Sequence, residues 1–196
     1  MDEFSIGPIK MPLKKSIPVL RMLAFMLDWL VLAMWGGTVF GIVMISSGGN
    51  PPGIGNPWQG QAVSFAVMTL PFILYFALTE ASSRRASLGK RIFKLEVVGQ
   101  SGETLAFGTC LIRNGIKFVP WELGHMVANH AALTESDIPI WIWAPMTLAC
   151  LGCLWWLTAL FFSTETPYNR WGGAQVVRSR SSPASLPPNN SAQINL

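Results

Sequence analysis

The run from Val19 to Ile45, VLRMLAFMLDWLVLAMWGGTVFGIVMI, limits what this chain can become. At 1.5 Å rise per residue, roughly 20 apolar residues cross a hydrocarbon core of about 30 Å, and this run is long enough. Two charges interrupt it: Arg21 at its start and Asp28 deeper inside. At 100° per residue their spacing puts them on nearly the same helix face. Arg21 can extend its aliphatic stem and keep its guanidinium at the headgroups. Asp28 is too short for that. On insertion scales a central Asp costs about 2.5–3.5 kcal/mol. A partner, a water-filled cavity, a bound cation or a retained proton must offset the cost. Asp28 is therefore either a buried polar residue that fixes helix packing or an ion or proton site.

The rest of the chain agrees with a membrane setting. Its 196 residues are 51% apolar and 12% charged, with about half the charged fraction of a typical soluble protein. The net charge of +4 comes from basic residues beside apolar runs. That placement suits anionic lipid headgroups and excludes nucleic acid as the natural partner. The cysteines are odd in number and lie in or beside apolar stretches, so they form no disulfide framework. Cys150-Leu-Gly-Cys153 has redox spacing, but a mid-span thiolate is disfavoured by low dielectric. Close packing by small residues is the better reading. The N-terminus lacks a small-x-small cleavage site, and its apolar run outlasts a signal peptide's, so the first span is expected to stay as an anchor.

Taken in order, residues 1–18 form a short polar arm with Lys10, Lys14 and Lys15. Residues 46–61 are rich in Gly and Pro and uncharged, hence a loop. A second apolar run covers 62–79, with Glu80 just past it and Pro71 inside it. Spans tolerate such a proline when a neighbouring helix satisfies the freed carbonyl. Residues 92–98 partly alternate, 99–102 look like a turn, and 104–107 like a short return strand, which predicts a hairpin on the membrane surface. Residues 107–133 are apolar but carry Arg113, Lys117, Glu122, His125, Asn129 and His130. A clear span follows at 139–163. The Ser/Pro/Asn-rich tail, 178–196, is expected to be disordered.

The positive-inside rule counts the crossings. Lys10, Lys14, Lys15 and Arg21 place the N-terminus in the cytoplasm, and the basic region from Arg84 to Lys117 returns there. Arg170, Arg178 and Arg180 reach the cytoplasm only if 112–133 crosses. The expected fold is therefore an all-α membrane protein: four transmembrane helices at 19–45, 62–79, 112–133 and 139–163, a short cytoplasmic β-hairpin between the second and third, and both termini inside.

Within the third span Glu122 and His125 share a face with Asn129, while Arg113 and Lys117 lie roughly opposite, nearer the cytoplasmic end, where they can snorkel to the headgroups. Glu with His three residues on is a ligand pair in metal-carboxylate bundles. Those sites need a second such pair, and this chain offers only Asp28 and Glu80 near its other spans, so no metal and no cofactor are expected. Glu122 and His125 instead pair with each other, with Asp28 or with Arg113, or form a proton path with Asp28. Leu88-Gly-Lys-Arg91 lacks the upstream glycine and following Ser or Thr of a phosphate loop. Lys90, Arg91 and Lys94 read as contacts to lipid headgroups. No nucleophile, base and orienting group stand together, so no enzyme is expected.

Four segments in order carry a resemblance. Arg21-Met-Leu-Ala-Phe-Met-Leu-Asp28 opens the first span. Ser87-Leu-Gly-Lys-Arg-Ile-Phe-Lys-Leu-Glu-Val-Val98 follows the second. Gly102, Leu105-Ala-Phe107 and Leu111-Ile-Arg113 lead into the third. Tyr168-Asn-Arg-Trp-Gly-Gly-Ala-Gln-Val-Val177 closes the domain. Together they resemble the RDD family of small bacterial membrane proteins, named for one arginine and two aspartates. The match runs over residues 21–177 and includes Asn169, Arg170 and Gly173 of the closing segment. Asn169 stands where the family has its second aspartate, and Ser87-Leu88 replaces the usual Thr. The resemblance implies an inner-membrane protein associated with transport, sodium–proton exchange included, with Asp28 in the pathway. The small size and the abundance of Trp and Gly support another reading, a non-catalytic subunit or anchoring factor of a larger complex. Either reading expects a homo-oligomer or a membrane assembly.

Overall fold

The computed structural model describes residues 18–50, 53–134, 139–162 and 166–179. The N-terminal arm, the link at 135–138 and the tail from 180 onward lie outside the described residues. Helix α1 runs Pro18–Ser46. Helix α2, Pro57–Ser64, starts at Asn56, whose side chain accepts the Gln59 N–H at 2.9 Å, and has Pro57 at its first position, as helix starts favour. It continues through a π-helical turn, Phe65–Thr69, into α3, Leu70–Ala81. The three form one continuous rod, Pro57–Ala81.

The π turn and Pro71 belong together. Proline has no N–H, so the Val67 carbonyl one turn earlier loses its helical donor. The Trp35 indole N–H of α1 donates to that carbonyl at 2.9 Å. A neighbouring helix thus satisfies the freed group, which apolar surroundings require.

After this rod come α4 (Leu88–Ile92), β1 (Leu95–Gly99) and α5 (Phe107–Leu133). A 3₁₀ turn, Ile140–Ile142, leads into α6 (Trp143–Phe162). Last are α7 (Pro167–Trp171) and β2 (Ala174–Arg178). Three segments are long and apolar enough to cross a membrane: α1, Pro57–Ala81 and Ile140–Phe162. Helix α5 is as long, but too polar to join them by composition. It packs against α2, α3 and α6. Its polar Arg113, Asn114 and His130 are buried, while Ile112 and Val119 are exposed. The helix turns its polar side inward.

The expected hairpin is not formed. β1 pairs with β2, antiparallel, from Leu95 opposite Arg178 to Gly99 opposite Ala174. Residues 103–106 carry no strand and Phe107 already begins α5. The turn after β1 closes on itself instead. The Gly99 N–H donates to the Glu103 carbonyl at 2.9 Å, and the Ser101 hydroxyl donates to the Glu103 carboxylate at 2.5 Å. That hydroxyl holds the Glu103 carboxyl below its usual range. The alternating residues of 92–98 were legible as a strand, but its partner lies in the closing segment. The ordered domain therefore extends past 177, with the Ser179 N–H donating to the Lys94 carbonyl at 2.7 Å.

Two apolar cores result. Leu95, Val97, Leu105, Ala174 and Val176 pack against Ala24, Ala77 and Cys110, so the sheet closes one end of the helices. Leu32, Phe72, Ile73, Phe76 and Phe118 form the core between α1, α3 and α5. Gly152 of α6 sits against Pro120 of α5, where an added Cβ would meet the ring at 2.9 Å. The small residue that matters in Cys150-Leu-Gly-Cys153 is the glycine. Both cysteines are exposed on the single chain.

Candidate functional site

Asp28 is 1% exposed and its carboxylate is fully engaged. The Tyr75 hydroxyl and the Gly89 N–H donate to Oδ1, each at 2.9 Å, and the Ser87 hydroxyl donates to Oδ2 at 2.6 Å. Tyr75 Oη in turn accepts the Leu88 N–H at 3.0 Å. The donors come from α3 and from the first turn of α4. A short helix leaves its first N–H groups unsatisfied, and here Asp28 of α1 supplies the missing acceptor. Gly89 permits the approach: an added Cβ would overlap the Ala24 carbonyl oxygen of α1. The residues of the opening motif thus clamp those of the Ser87-Leu-Gly-Lys segment.

Glu80 is 0% exposed and anchors the second cluster. It pairs with Lys90 at 2.5 Å and with the Arg113 guanidinium, and it accepts the Asn114 amide at 2.8 Å. Arg113 Nε donates to Asn169 Oδ1 at 2.8 Å, and its guanidinium carbon lies 5.4 Å from the Tyr168 ring centroid. Asn169 therefore serves Arg113 as a neutral acceptor, and Glu80 carries the neutralising charge. Lys90, expected at the lipid headgroups, points into the bundle instead, because a buried carboxylate needs a cation more than a solvated lysine needs water. Arg91 donates to the Ala86 carbonyl at 3.0 Å, and Lys94 is exposed with a left-handed backbone, φ 53°. Arg170 is exposed. Gly173 takes φ 57°, which favours glycine, and lets the chain turn from α7 into β2.

Glu122 and His125 form a third cluster. The Gln61 amide donates to Glu122 Oε1, and the Thr69 hydroxyl donates to Oε2 at 2.5 Å. His125 Nδ1 is 3.6 Å from Glu122 Oε2 and 3.4 Å from Thr69 Oγ1. Asn129 reaches Gln61 and Ser64 at 3.3 Å each. Gln61, Ser64 and Thr69 flank or lie in the π turn, a distortion often kept at functional sites. Among the described residues no hydrogen bond or ion pair joins this cluster to Asp28 or Arg113. The sequence named Glu122 and His125, but not Gln61 and Thr69, which complete the site. Uncharged amides and hydroxyls carry no charge pattern that would have singled them out.

A cavity of about 380 Å³ opens between α1, α5 and α6 beside the Asp28 and Glu80 clusters. Arg21, Asp28, Lys90, Arg113 and Lys117 reach it, and aromatic side chains form much of its wall, Phe25, Trp29, Trp121 and Trp156 among them. Its size falls within the range of about 300–1,000 Å³ usual for small-molecule sites. Lys117 was expected to extend toward the headgroups. Its Nζ instead lies 3.7 Å from the Phe76 ring centroid and 4.6 Å from that of Phe25, an arrangement that stabilises a cation by the ring quadrupoles. Arg21 touches Thr166 at 3.4 Å. Among the described residues neither Arg21 nor Lys117 has an ion-pair partner.

The comparisons with known proteins can be set against this geometry. No curated protein and no solved structure matches the chain. The sequence model of the RDD family matches residues 17–162, which takes in the Asp28 clamp, Glu80, Arg113 and the cavity's α6 wall but ends before Asn169. With three membrane-length apolar helices and most of its length matched, this integral membrane protein belongs to the RDD family.

Proposed function

We propose that this protein moves a small solute or ion across the bacterial inner membrane, with the cavity between α1, α5 and α6 as its solute site. The observation that carries the reading is the cavity itself, which brings charged side chains and an aromatic wall together at helices fit to span a bilayer. Charged side chains within membrane-spanning segments are expensive and commonly mark substrate or ion pathways. Asp28 sits at the cavity wall and ties α1 to α4, so its part is to couple the loop segment to the pathway. No catalytic role is assigned.

The proposed topology has four crossings and cytoplasmic termini, with α5 as the third crossing. Its 27 residues would span about 40 Å at 1.5 Å each, and its inward-turned polar side makes low mean hydropathy compatible with lipid. Exposed Lys94, with Arg91 beside it, would then meet anionic headgroups. In a Cys150→Ser, Cys153→Ser background, Ser136→Cys should react with an impermeant thiol reagent from outside only. Reaction only from the cytoplasmic side would contradict the crossing.

Flux tests the transport reading. In proteoliposomes, alkyl sulfonates from methane- to decanesulfonate and gradients of sodium, chloride and phosphate should include at least one solute that moves faster than in protein-free vesicles. Lys117→Met and Asp28→Asn should each remove that flux. Inserted protein that moves none of them, or variants that leave flux unchanged, would refute the reading.

The exposed apolar surfaces of α1 and α6, such as Met34, Phe40, Ile45 and Phe162, favour a second reading. Lipid covers such faces, and so do further copies or partner spans in a homo-oligomer or larger membrane complex. A foreign subunit recovered in fixed ratio from native membranes would favour an anchoring or assembly role.

A further inference from the structure

We infer that the cavity binds an anionic amphiphile, a single apolar chain ending in a carboxylate, phosphate or sulfonate head. The inference rests on the cavity being the solute site and adds the chemical class of the solute. Four cations reach or border the space: Arg21, Lys90, Arg113 and Lys117. Two carboxylates stand against them. Asp28 has its oxygens taken by a tyrosine, a serine and a backbone N–H, and Glu80 is shared between Lys90 and Arg113. Positive charge is in surplus: among the described residues no carboxylate is in ion-pair contact with Lys117, which lies against the Phe76 and Phe25 rings, or with Arg21. A cation held so in low dielectric gains much from an incoming anion.

The remainder of the cavity excludes a simple inorganic ion as its natural occupant. Its wall is built of aromatic and aliphatic side chains, Phe25, Trp29, Trp156 and Leu160 among them. An ion that filled only the cationic end would leave this wall facing water, and apolar burial is worth about 25 cal/mol per Å². An apolar chain covers it. Trp121 adds a further aromatic face to the same wall.

The test uses the full chain in nanodiscs and the tryptophans at the cavity as reporters. Bromoundecanoate, at a pH where it is ionised, should quench them saturably, and unbrominated undecanoate should reverse the quenching. Bromoundecanol, equal in length but uncharged, should bind about tenfold more weakly or worse, and Lys117→Met should weaken the acid by a similar factor while leaving the alcohol unchanged. If Lys117→Met does not fold, Arg21→Gln is read the same way. Equal, non-saturating quenching by acid and alcohol would mean simple partition into lipid and would overturn the inference. Displacement of the acid by inorganic phosphate as readily as by undecanoate would assign the site to a free anion and overturn it too. Acid binding without any flux would sink the transport reading alone. Flux of other solutes without acid binding would sink this inference alone.

Discussion

Glu80→Leu is expected to destabilise the detergent-solubilised protein by about 3–5 kcal/mol, the range for leaving a buried charge without its partner. The carboxylate is the only acidic group that Arg113 and Lys90 meet among the described residues. Removing it strands two cations, one of them 2% exposed, and leaves the Asn114 amide short of an acceptor. Asn169 cannot compensate, because it offers Arg113 a neutral oxygen. Adding Arg113→Leu should recover only part of the loss, since Lys90 stays unpaired. Thermal unfolding of the two single variants and the double variant, read as a mutant cycle, checks this. A single variant as stable as the parent would mean that the ion pairs do not hold α3, α4 and α5 together.

Gly89→Ala should be nearly as damaging, although only a methyl group is added. The new Cβ would overlap the Ala24 carbonyl oxygen and come within 3.1 Å of the Asp28 carboxyl carbon. Backbone cannot rotate away as a side chain can, so α4 must lift from α1. That would break the bonds from Ser87 and Gly89 to Asp28. Overpacking of about 1–3 kcal/mol and weakened bonds to a charged group of about 1.5–3 kcal/mol give about 2.5–6 kcal/mol together. Gly115→Ala is the control. It lies mid-α5 with open space around it, and there alanine should stabilise by about 0.5–1 kcal/mol. Thermal shift assays in the same detergent separate the two, and equal midpoints would contradict the clamp.

Much of this architecture was legible in the residues. Apolar run length located α1 and α6 to within a few positions, because lipid enforces a minimum length on any span. It found the Pro57–Ala81 rod only from residue 62 on, since residues 57–61, read as loop from their Pro, Gly and Gln, already form the start of α2. The cost of a buried acid pointed to Asp28 and to the need for a partner. The partners themselves were not legible. Tyr75, Ser87 and the Gly89 N–H are neutral donors, and only the fold brings them to α1. The hairpin was misread for a related reason. A strand signal at 92–98 beside a Gly-Gln-Ser-Gly turn favours a local partner, whereas the pairing that buries Val97 and Val176 against Ala24 needs the distant closing segment. Lys90 and Lys117 were placed at the headgroups because sequence shows a cation's reach, not the carboxylate or rings that draw it inward.

The proposed function requires a water-accessible, cationic solute site inside the helices, and the chain carries its own probe. Cys153 lines the cavity, Cys110 is buried, and Cys150 can be removed as Cys150→Ser. In that background, in proteoliposomes, Cys153 should react with the anionic sulfonatoethyl methanethiosulfonate faster than with its cationic trimethylammonium analogue. Lys117→Met should shrink the difference. A Cys153 thiol inert to both reagents from both sides, or one that prefers the cationic reagent, would contradict the account.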